Sequence, residues 1–418
     1  MIAKRLITNS ADNMLFVLGS MMIHILSARL MTSEEFGYFT SVFTFFVLAQ
    51  AIALSFIHEP FIKYSDISDD LKANSLMIIL LYKLIYWSGI LFFLMFSFFF
   101  IFGFEFLSAP DYMLVCLCMI LSIAYQFTRR IHHFVGDGVD GVFSSTIFAS
   151  TSSLVLLGSI TLDINVDFQL AVTSIGIASL LGLAYNLRCL KVFDANARDN
   201  FEIDKNTLLN VRSGVVVLSG NIIFFLISNA YVPLLLLFST LSDIGNLRII
   251  FLILMPLNHL IASLNTLVLT QIKQKLGDVN EGVSARLFVL RVFTWTAVLS
   301  LVYGCVVSFW FVDIVWLIFG KDIPLNLFGS LSLLVLPALS VCNLPFSMYL
   351  RVIFKQSDVA ISAMLGFAAL LTVFFVGVTV DWFNALDLIL VTYVCCYFFV
   401  FMSSALFFRC ARACCRPA

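Results

Sequence analysis

The sequence predicts an all-helical integral membrane protein, with twelve transmembrane helices in two parallel-repeat six-helix lobes around a central cavity. Of its 418 residues 61% are hydrophobic and only 12% are charged, whereas a soluble domain has about 25% charged residues. The apolar residues form continuous runs, which indicate helices, whereas the strands of a membrane barrel show alternation. The two halves of the chain also resemble each other, which predicts the division into lobes.

Twelve apolar runs account for nearly the whole chain, and each approaches or exceeds the roughly 20 residues that a membrane-crossing helix needs. The longest polar stretch, residues 188–206, is too short for a catalytic head outside the membrane. The runs lie at residues 11–30, 37–61, 77–103, 112–128, 142–161, 168–187, 209–231, 245–269, 289–311, 325–349, 360–380 and 386–408.

Basic residues orient these spans. With both termini in the cytoplasm, the 24 lysines and arginines fall in inner segments or near inner helix ends, except for Arg29, Arg248 and Lys321. Because cytoplasmic loops carry an excess of Lys and Arg, we predict a multi-pass protein with two cytoplasmic termini. The polar stretch 129–141 (RRIHHFVGDGVDG) is interpreted as a cytoplasmic turn.

An internal repeat appears when residue 221 is placed over residue 13, so that NMLFVLGS (13–20) lies over NIIFFLIS (221–228). Six spans in each half make a parallel repeat, whose lobes can rock and expose a cavity to either face. The same alignment pairs Thr32 with Thr240, Glu35 with Asp243 and Gly37 with Gly245. The predicted parts are a first lobe, a cytoplasmic linker, a second lobe and a basic cytoplasmic tail, at residues 1–193, 194–206, 207–408 and 409–418.

The first hairpin, SARLMTSEEFGYFTSVFTF (27–45), resembles the A-R-L-x-x-x-x-x-F-G-x-[YF] stretch that opens Wzx-type polysaccharide and O-antigen flippases. These belong to the multidrug/oligosaccharidyl-lipid/polysaccharide exporter superfamily. Residues 241–264 look like that superfamily's region of spans 7 and 8. The resemblance implies a transporter rather than an enzyme. It would flip undecaprenyl-pyrophosphate-linked oligosaccharide repeat units across the bacterial inner membrane by alternating access, for O-antigen or other surface polysaccharide synthesis.

The implied partners are the lipid-linked glycan, membrane lipids, and the polymerase and chain-length proteins of the same pathway. A net charge of −1 argues against a nucleic-acid partner. We expect no cofactor and no metal site. Because the P-loop pattern G-x-x-x-x-G-K-[ST] does not occur in the sequence, transport would be coupled to an H⁺ or Na⁺ gradient.

Two other functions remain open. A multidrug exporter of the same fold would need an acidic or aromatic cavity, whereas the intramembrane charge here is basic at Arg248. An O-antigen polymerase has a similar number of spans but usually a long outer loop with arginines. The longest predicted outer loop of this chain holds Lys321 as its basic residue.

Three arginines are candidates for holding an anionic head group. Arg248 lies one turn inside the predicted outer end of span 8, where a charge is costly unless it faces water or the protein interior. Its structural alternative is an outer interface residue paired with Asp243. Arg29 could instead stabilise the first hairpin, and Arg212 could anchor an inner helix end.

Uncharged polar residues complete the candidate substrate site. Asn221, Asn229 and Gln50 could hydrogen-bond sugar hydroxyls, or they could hold helices together, as polar residues often do in membranes.

Three further residues could titrate with a coupling ion. For Asp12 the alternative is a negative charge that stabilises a helix N-terminus. For His24 it is a buried, hydrogen-bonded side chain, and for Glu59 it is a solvated inner rim.

Overall fold

The computed structural model describes residues 2–53, 108–135, 138–190, 222–223, 225–277, 282–353, 356–380 and 384–414. Their regular secondary structure is helical. The helices are α1 (Ile2–Leu30), α2 (Ser33–Ala53), α3 (Ala109–Val135), α4 (Val139–Thr161), α5 (Phe168–Cys189), α6 (Tyr231–Phe238), α7 (Leu241–Gly277), α8 (Gly282–Phe309), α9 (Phe311–Phe319), α10 (Leu327–Val352), α11 (Gln356–Val380) and α12 (Ala385–Cys414).

Ten helices in these ranges are long and apolar enough to cross a membrane. They are α1 to α5, α7, α8 and α10 to α12, and they coincide in order with ten of the predicted spans. The predicted span 77–103 lies outside the described residues, as does most of 209–231. The prediction of an all-helical, multi-pass membrane protein is confirmed.

The chain divides into two compact units, Met1–Phe225 and Leu226–Ala418. In the first unit α1 packs against α4, α3 packs against α5, and α4 and α5 pack against each other. In the second unit α8 and α12 both pack against α10, α11 packs against α12, and α7 lies against α8 and α10. The predicted linker 194–206 lies outside the described residues.

The starts of α2 and α7 have the same local structure. The backbone N–H of Thr32 donates to Oε2 of Glu35 at 3.0 Å, and the N–H of Glu35 donates back to Oγ1 of Thr32 at 3.2 Å. Thr240 and Asp243 make the corresponding bonds at 3.4 and 3.3 Å. This reciprocal capping satisfies N–H groups that lack a partner in the first helical turn. The sequence repeat aligns these same residues, so the structure supports it.

We expect Thr32→Ala and Thr240→Ala each to lower the free energy of unfolding by about 1 kcal/mol, because each removes a helix cap. The measurement is the melting temperature of the purified protein in detergent. Thr146→Ala is the control, since Thr146 is exposed and its hydroxyl donates to the carbonyl of Val142 within its own helix α4. Equal losses in all three variants would contradict the capping role.

Helix α7 contains Pro256. Proline has no N–H to donate and crowds the preceding turn, so it frees carbonyl groups there. The hydroxyl of Tyr303, on α8, donates to the carbonyl of Ile253. A side chain of the neighbouring helix thus supplies a hydrogen bond just before the proline, which membrane helices require because lipid offers none.

The prediction of a turn over residues 129–141 is wrong for most of that stretch. Helix α3 continues to Val135, and α4 begins at Val139 after Gly138, which has a positive φ of 80°. A run of polar residues suggests a turn, but the polar residues of α3 belong to a helix, and their spacing places them on one side of it. Tyr125, Thr128, Arg129 and His132 recur at intervals of three and four residues, and all four are buried.

Candidate functional site

A buried ion pair joins α1 to α3 in the first unit. The Nη1 atom of Arg129 lies 2.8 Å from Oδ2 of Asp12, and the two side chains are 1% and 0% exposed. A charge buried in this way is tolerated only when it is paired and hydrogen-bonded. The two charges cancel, so the pair places little net charge in the interior of the unit.

Helix α4 closes this cluster. The hydroxyl of Ser145 donates to Oδ1 of Asp12 at 2.5 Å, and Nη1 of Arg129 donates to Oγ of Ser145 at 3.2 Å. The same Nη1 reaches the backbone carbonyl of Asp12 at 3.4 Å. The guanidinium lies 4.2 Å from the ring centroid of Phe16, a favourable cation–π distance. Asp12, Arg129 and Ser145 therefore fix α1, α3 and α4 to one another.

A second buried polar cluster lies beside the Asp12–Arg129 pair and joins α3 to α5. Nδ2 of Asn186 donates to Oγ1 of Thr128 at 3.1 Å. Oδ1 of Asn186 accepts from Nε2 of His132, also at 3.1 Å, which requires a hydrogen on that nitrogen. Both functional ends of the amide are satisfied, as a buried polar side chain requires. The polar face of α3 thus contacts α1 and α4 through Arg129 and contacts α5 through Thr128 and His132.

Two of the three predicted titratable residues, Asp12 and His24, lie in the described part of the first unit. Asp12 lies about three turns into α1, so the alternative that it stabilises a helix N-terminus is wrong. The Nδ1 atom of His24 donates to the carbonyl of Ser20 at 2.8 Å, and the ring meets that of Phe43 edge-on at 4.3 Å. His24 is therefore the buried, hydrogen-bonded side chain of the structural alternative. A coupling role for either residue stays a prediction.

Of the residues predicted in the first unit to bind sugar or an anion, the structure describes Gln50 and Arg29. Nε2 of Gln50 donates to Oγ of Ser122 at 3.2 Å, which joins α2 to α3 as a contact between helices. Arg29 is exposed in the last turn of α1. Glu59, Arg212 and Asn221 lie outside the described residues.

In the second unit Arg248 lies about two turns into α7, directly before the apolar run 249–257. It is half-buried, and the phenol of the buried Tyr231 is within its electrostatic reach.

Asp243 is the alternative partner predicted from the sequence. Its carboxylate accepts from the hydroxyls of Ser239 and Thr240 and caps α7. Residues five apart do not share a helix face, so the local sequence does not favour pairing of Asp243 with Arg248. The predicted residue Asn229 is buried.

No protein-family model and no curated protein matches the sequence, but solved structures match the fold. An inward-facing multidrug resistance MATE transporter of the MOP superfamily has a TM-score of 0.66 at 12% identity, with 96% of each chain covered. The lipid II flippase MurJ, in an inward closed conformation, has 0.64 at 12% identity, over 99% of this chain and 93% of MurJ. A mutant of the Vibrio cholerae MATE transporter VcmN has 0.61 at 13% identity, over 97% of this chain and 98% of that transporter.

This chain has the MATE and MurJ fold. The likeness extends over nearly the full length of each protein, so it includes both halves of the chain. The predicted fold class is confirmed by this likeness together with the ten described spans.

Within this MATE-like fold, the residues that surround Asp12 were not predicted from the sequence. Arg129 was expected among the cytoplasmic loop cations, and no role was predicted for Ser145 or Asn186. A signal was present in the sequence, because the polar positions 125, 128, 129 and 132 have helical spacing. The partner of Arg129 could not be read in the same way, since Asp12 is 117 residues away in the chain.

Proposed function

We propose that this protein flips undecaprenyl-pyrophosphate-linked oligosaccharide repeat units across the bacterial inner membrane, by alternating access of its two lobes. The observation that carries the proposal is Arg248, a half-buried cation that directly precedes the apolar run 249–257 of helix α7. A guanidinium presents its donors in a planar fork that matches phosphate oxygens. A pyrophosphate or an acidic sugar would supply the negative charge that such a position favours.

The charges of the described residues favour an anionic substrate over a cationic drug. Among the described residues, the fully buried carboxylates are those of Asp12 and Asp387. Asp12 is neutralised by Arg129. Asp387 lies in the first turn of α12 and is packed so closely against α10 that a Cβ added to Gly329 would overlap its Oδ1 atom. Neither carboxylate offers accessible negative charge to an organic cation.

The fold is compatible with either kind of cargo, since the similar structures include multidrug transporters and a lipid II flippase. The flippase is the example closer to the proposal, because lipid II is a lipid-linked glycan. The multidrug exporter is therefore the second candidate. Within the described residues, it would have to recognise a cation by groups other than the two buried carboxylates.

Deletion of the gene in the bacterium that encodes it tests the proposal. Lipid-linked intermediates are extracted and assigned to a leaflet by their accessibility to an impermeant label. Loss of flipping predicts complete repeat units that accumulate on the cytoplasmic leaflet. Translocated but unpolymerised units would instead show a polymerase. Unchanged intermediates with increased drug sensitivity would show an exporter.

We expect Arg248→Ala to lower surface glycan by about 10- to 100-fold in that deletion strain, since a hydrogen bond to a charged group contributes about 1.5–3 kcal/mol. Arg248→Lys keeps the charge and should retain part of the activity. The control is Arg188→Ala, which removes an exposed arginine in the last turn of α5. Surface glycan at the wild-type level with Arg248→Ala would exclude this residue as the anchor.

We further propose that an H⁺ or Na⁺ gradient drives the cycle without a cofactor, and that the polymerase and chain-length proteins of the same pathway receive the product. We also propose that both termini lie in the cytoplasm. Vesicles that hold the protein and a labelled lipid-linked glycan can be treated with ionophores that collapse one gradient at a time. Flipping that stops with one ionophore identifies the ion, and flipping that continues with both would refute coupling.

A further inference from the structure

A short helix follows the long span α8. The membrane-crossing part of α8, Ser284–Phe309, has 26 residues, more than the roughly 20 needed to cross the hydrocarbon. The chain bends at Trp310, which has φ −109° and ψ 21°, and continues as α9 over Phe311–Phe319. Helix α9 thus begins after a complete crossing, at the predicted outer end of the second unit.

One side of α9 packs against its own unit and the other does not. Phe311, Val315 and Phe319, four residues apart, are buried. Val312 and Trp316 are 60% and 64% exposed. Beyond a complete span a helix would be expected to present polar residues to water. The sequence of α9, FVDIVWLIF, instead has Asp313 as its single charged residue.

The exposed apolar surface of α9 is continuous along the chain with the end of α8, since Phe309 and Trp310 precede it and are exposed. Leu327, at the start of α10, is also exposed, but the connection before it contains Lys321 and Asp322. Trp295, in the middle of α8, is 76% exposed, and in a membrane-crossing segment such a side chain faces lipid. Tryptophan is enriched where membrane meets water, because its ring is apolar and its N–H is polar.

We propose that α9 lies in the lipid interface and binds phospholipid with its exposed side. Trp310 and Trp316 then occupy the boundary between head groups and acyl chains, and Asp313 remains among hydrated head groups. This is the arrangement of an interfacial helix that anchors a protein to one leaflet. The anchor fixes the depth of the connection between α8 and α10, whatever substrate the protein carries.

Tryptophan fluorescence tests the proposal, because the chain has five tryptophans. Trp87, Trp295, Trp310 and Trp382 are replaced by phenylalanine, which leaves Trp316. The variant is reconstituted in vesicles of phosphatidylcholine brominated either near the head group or near the bilayer centre. We expect a larger loss of Trp316 emission with the shallow bromine and little loss with aqueous iodide. A matched variant that retains only Trp295 should show the larger loss with the deep bromine.

Strong quenching by iodide without an effect of brominated lipid would place α9 in water and overturn the proposal. Protection from both quenchers would show that protein, such as a second copy of the chain, covers Trp316, and would overturn it equally. If the fourfold replacement does not fold, the same quantities are obtained as the difference between the native protein and Trp316→Phe.

Discussion

Replacement of Arg129 by alanine is expected to be among the most damaging single substitutions in the first unit. Arg129 and Asp12 are both buried and lie 2.8 Å apart. Removal of one partner leaves the other charge in an apolar interior, which costs about 3–5 kcal/mol in proteins where it has been measured. The variant should melt at a much lower temperature in detergent, with a smaller yield of monodisperse protein.

Two controls separate the loss of pairing from the loss of a basic residue. Arg188→Ala removes an exposed arginine from α5 and should leave the melting temperature nearly unchanged. The double variant Asp12→Leu with Arg129→Met removes both charges together. It should recover much of the lost stability, because replacing a buried pair with apolar residues is often neutral. A melting temperature for Arg129→Ala equal to that of the wild type would refute the structural role of the pair.

The fold could be predicted because its main determinant, the length of apolar runs, is local in sequence. The ten described spans follow the predicted ones in order. The recurrence of capping at Thr32 and Thr240 was also accessible, since each cap is formed within four residues. These features depend on residues close together in the chain, so no knowledge of tertiary contacts was needed.

The buried cluster around Asp12 could not be predicted in the same way. Arg129 and Arg130 are adjacent and equally basic, yet Arg129 is buried and Arg130 is half-buried. Near an inner helix end the positive-inside rule explains both residues, so it concealed the different role of one of them. The spacing of the polar residues places Arg129 on one face of α3, but the sequence of α3 alone does not specify which helices that face meets.

For the proposed site, the sequence predicted that Arg248 lies near one end of a span but did not indicate its neighbours. In the structure it lies about two turns into α7, and its depth in a membrane stays a prediction. The proximity of Tyr231 was not expected, because that residue lies 17 positions earlier, on the short helix α6. The length of apolar runs identifies spans, whereas predicting a side-chain contact between two helices requires knowledge of how the helices are rotated relative to each other.

Gly304→Ala is expected to separate two packed spans of the second unit. Gly304 lies on α8 where it meets α10, and a Cβ at this position would overlap the carbonyl oxygen of Leu334 and lie 3.1 Å from its carbonyl carbon. These are backbone atoms, so no rotamer change can relieve the contact and the helices must move apart. Small residues allow such close approach in membranes, and overpacking costs about 1–3 kcal/mol.

Gly158→Ala provides the matched control, because Gly158 is also in a helix but a Cβ there would meet nothing within 4 Å. Alanine favours a helix over glycine by about 1 kcal/mol, so Gly158→Ala should leave the melting temperature unchanged or raise it slightly. The same chemical change should therefore lower the melting temperature at Gly304 but not at Gly158. A loss of similar size in both variants would show that added volume at the contact of α8 with α10 does not determine the stability of the second unit.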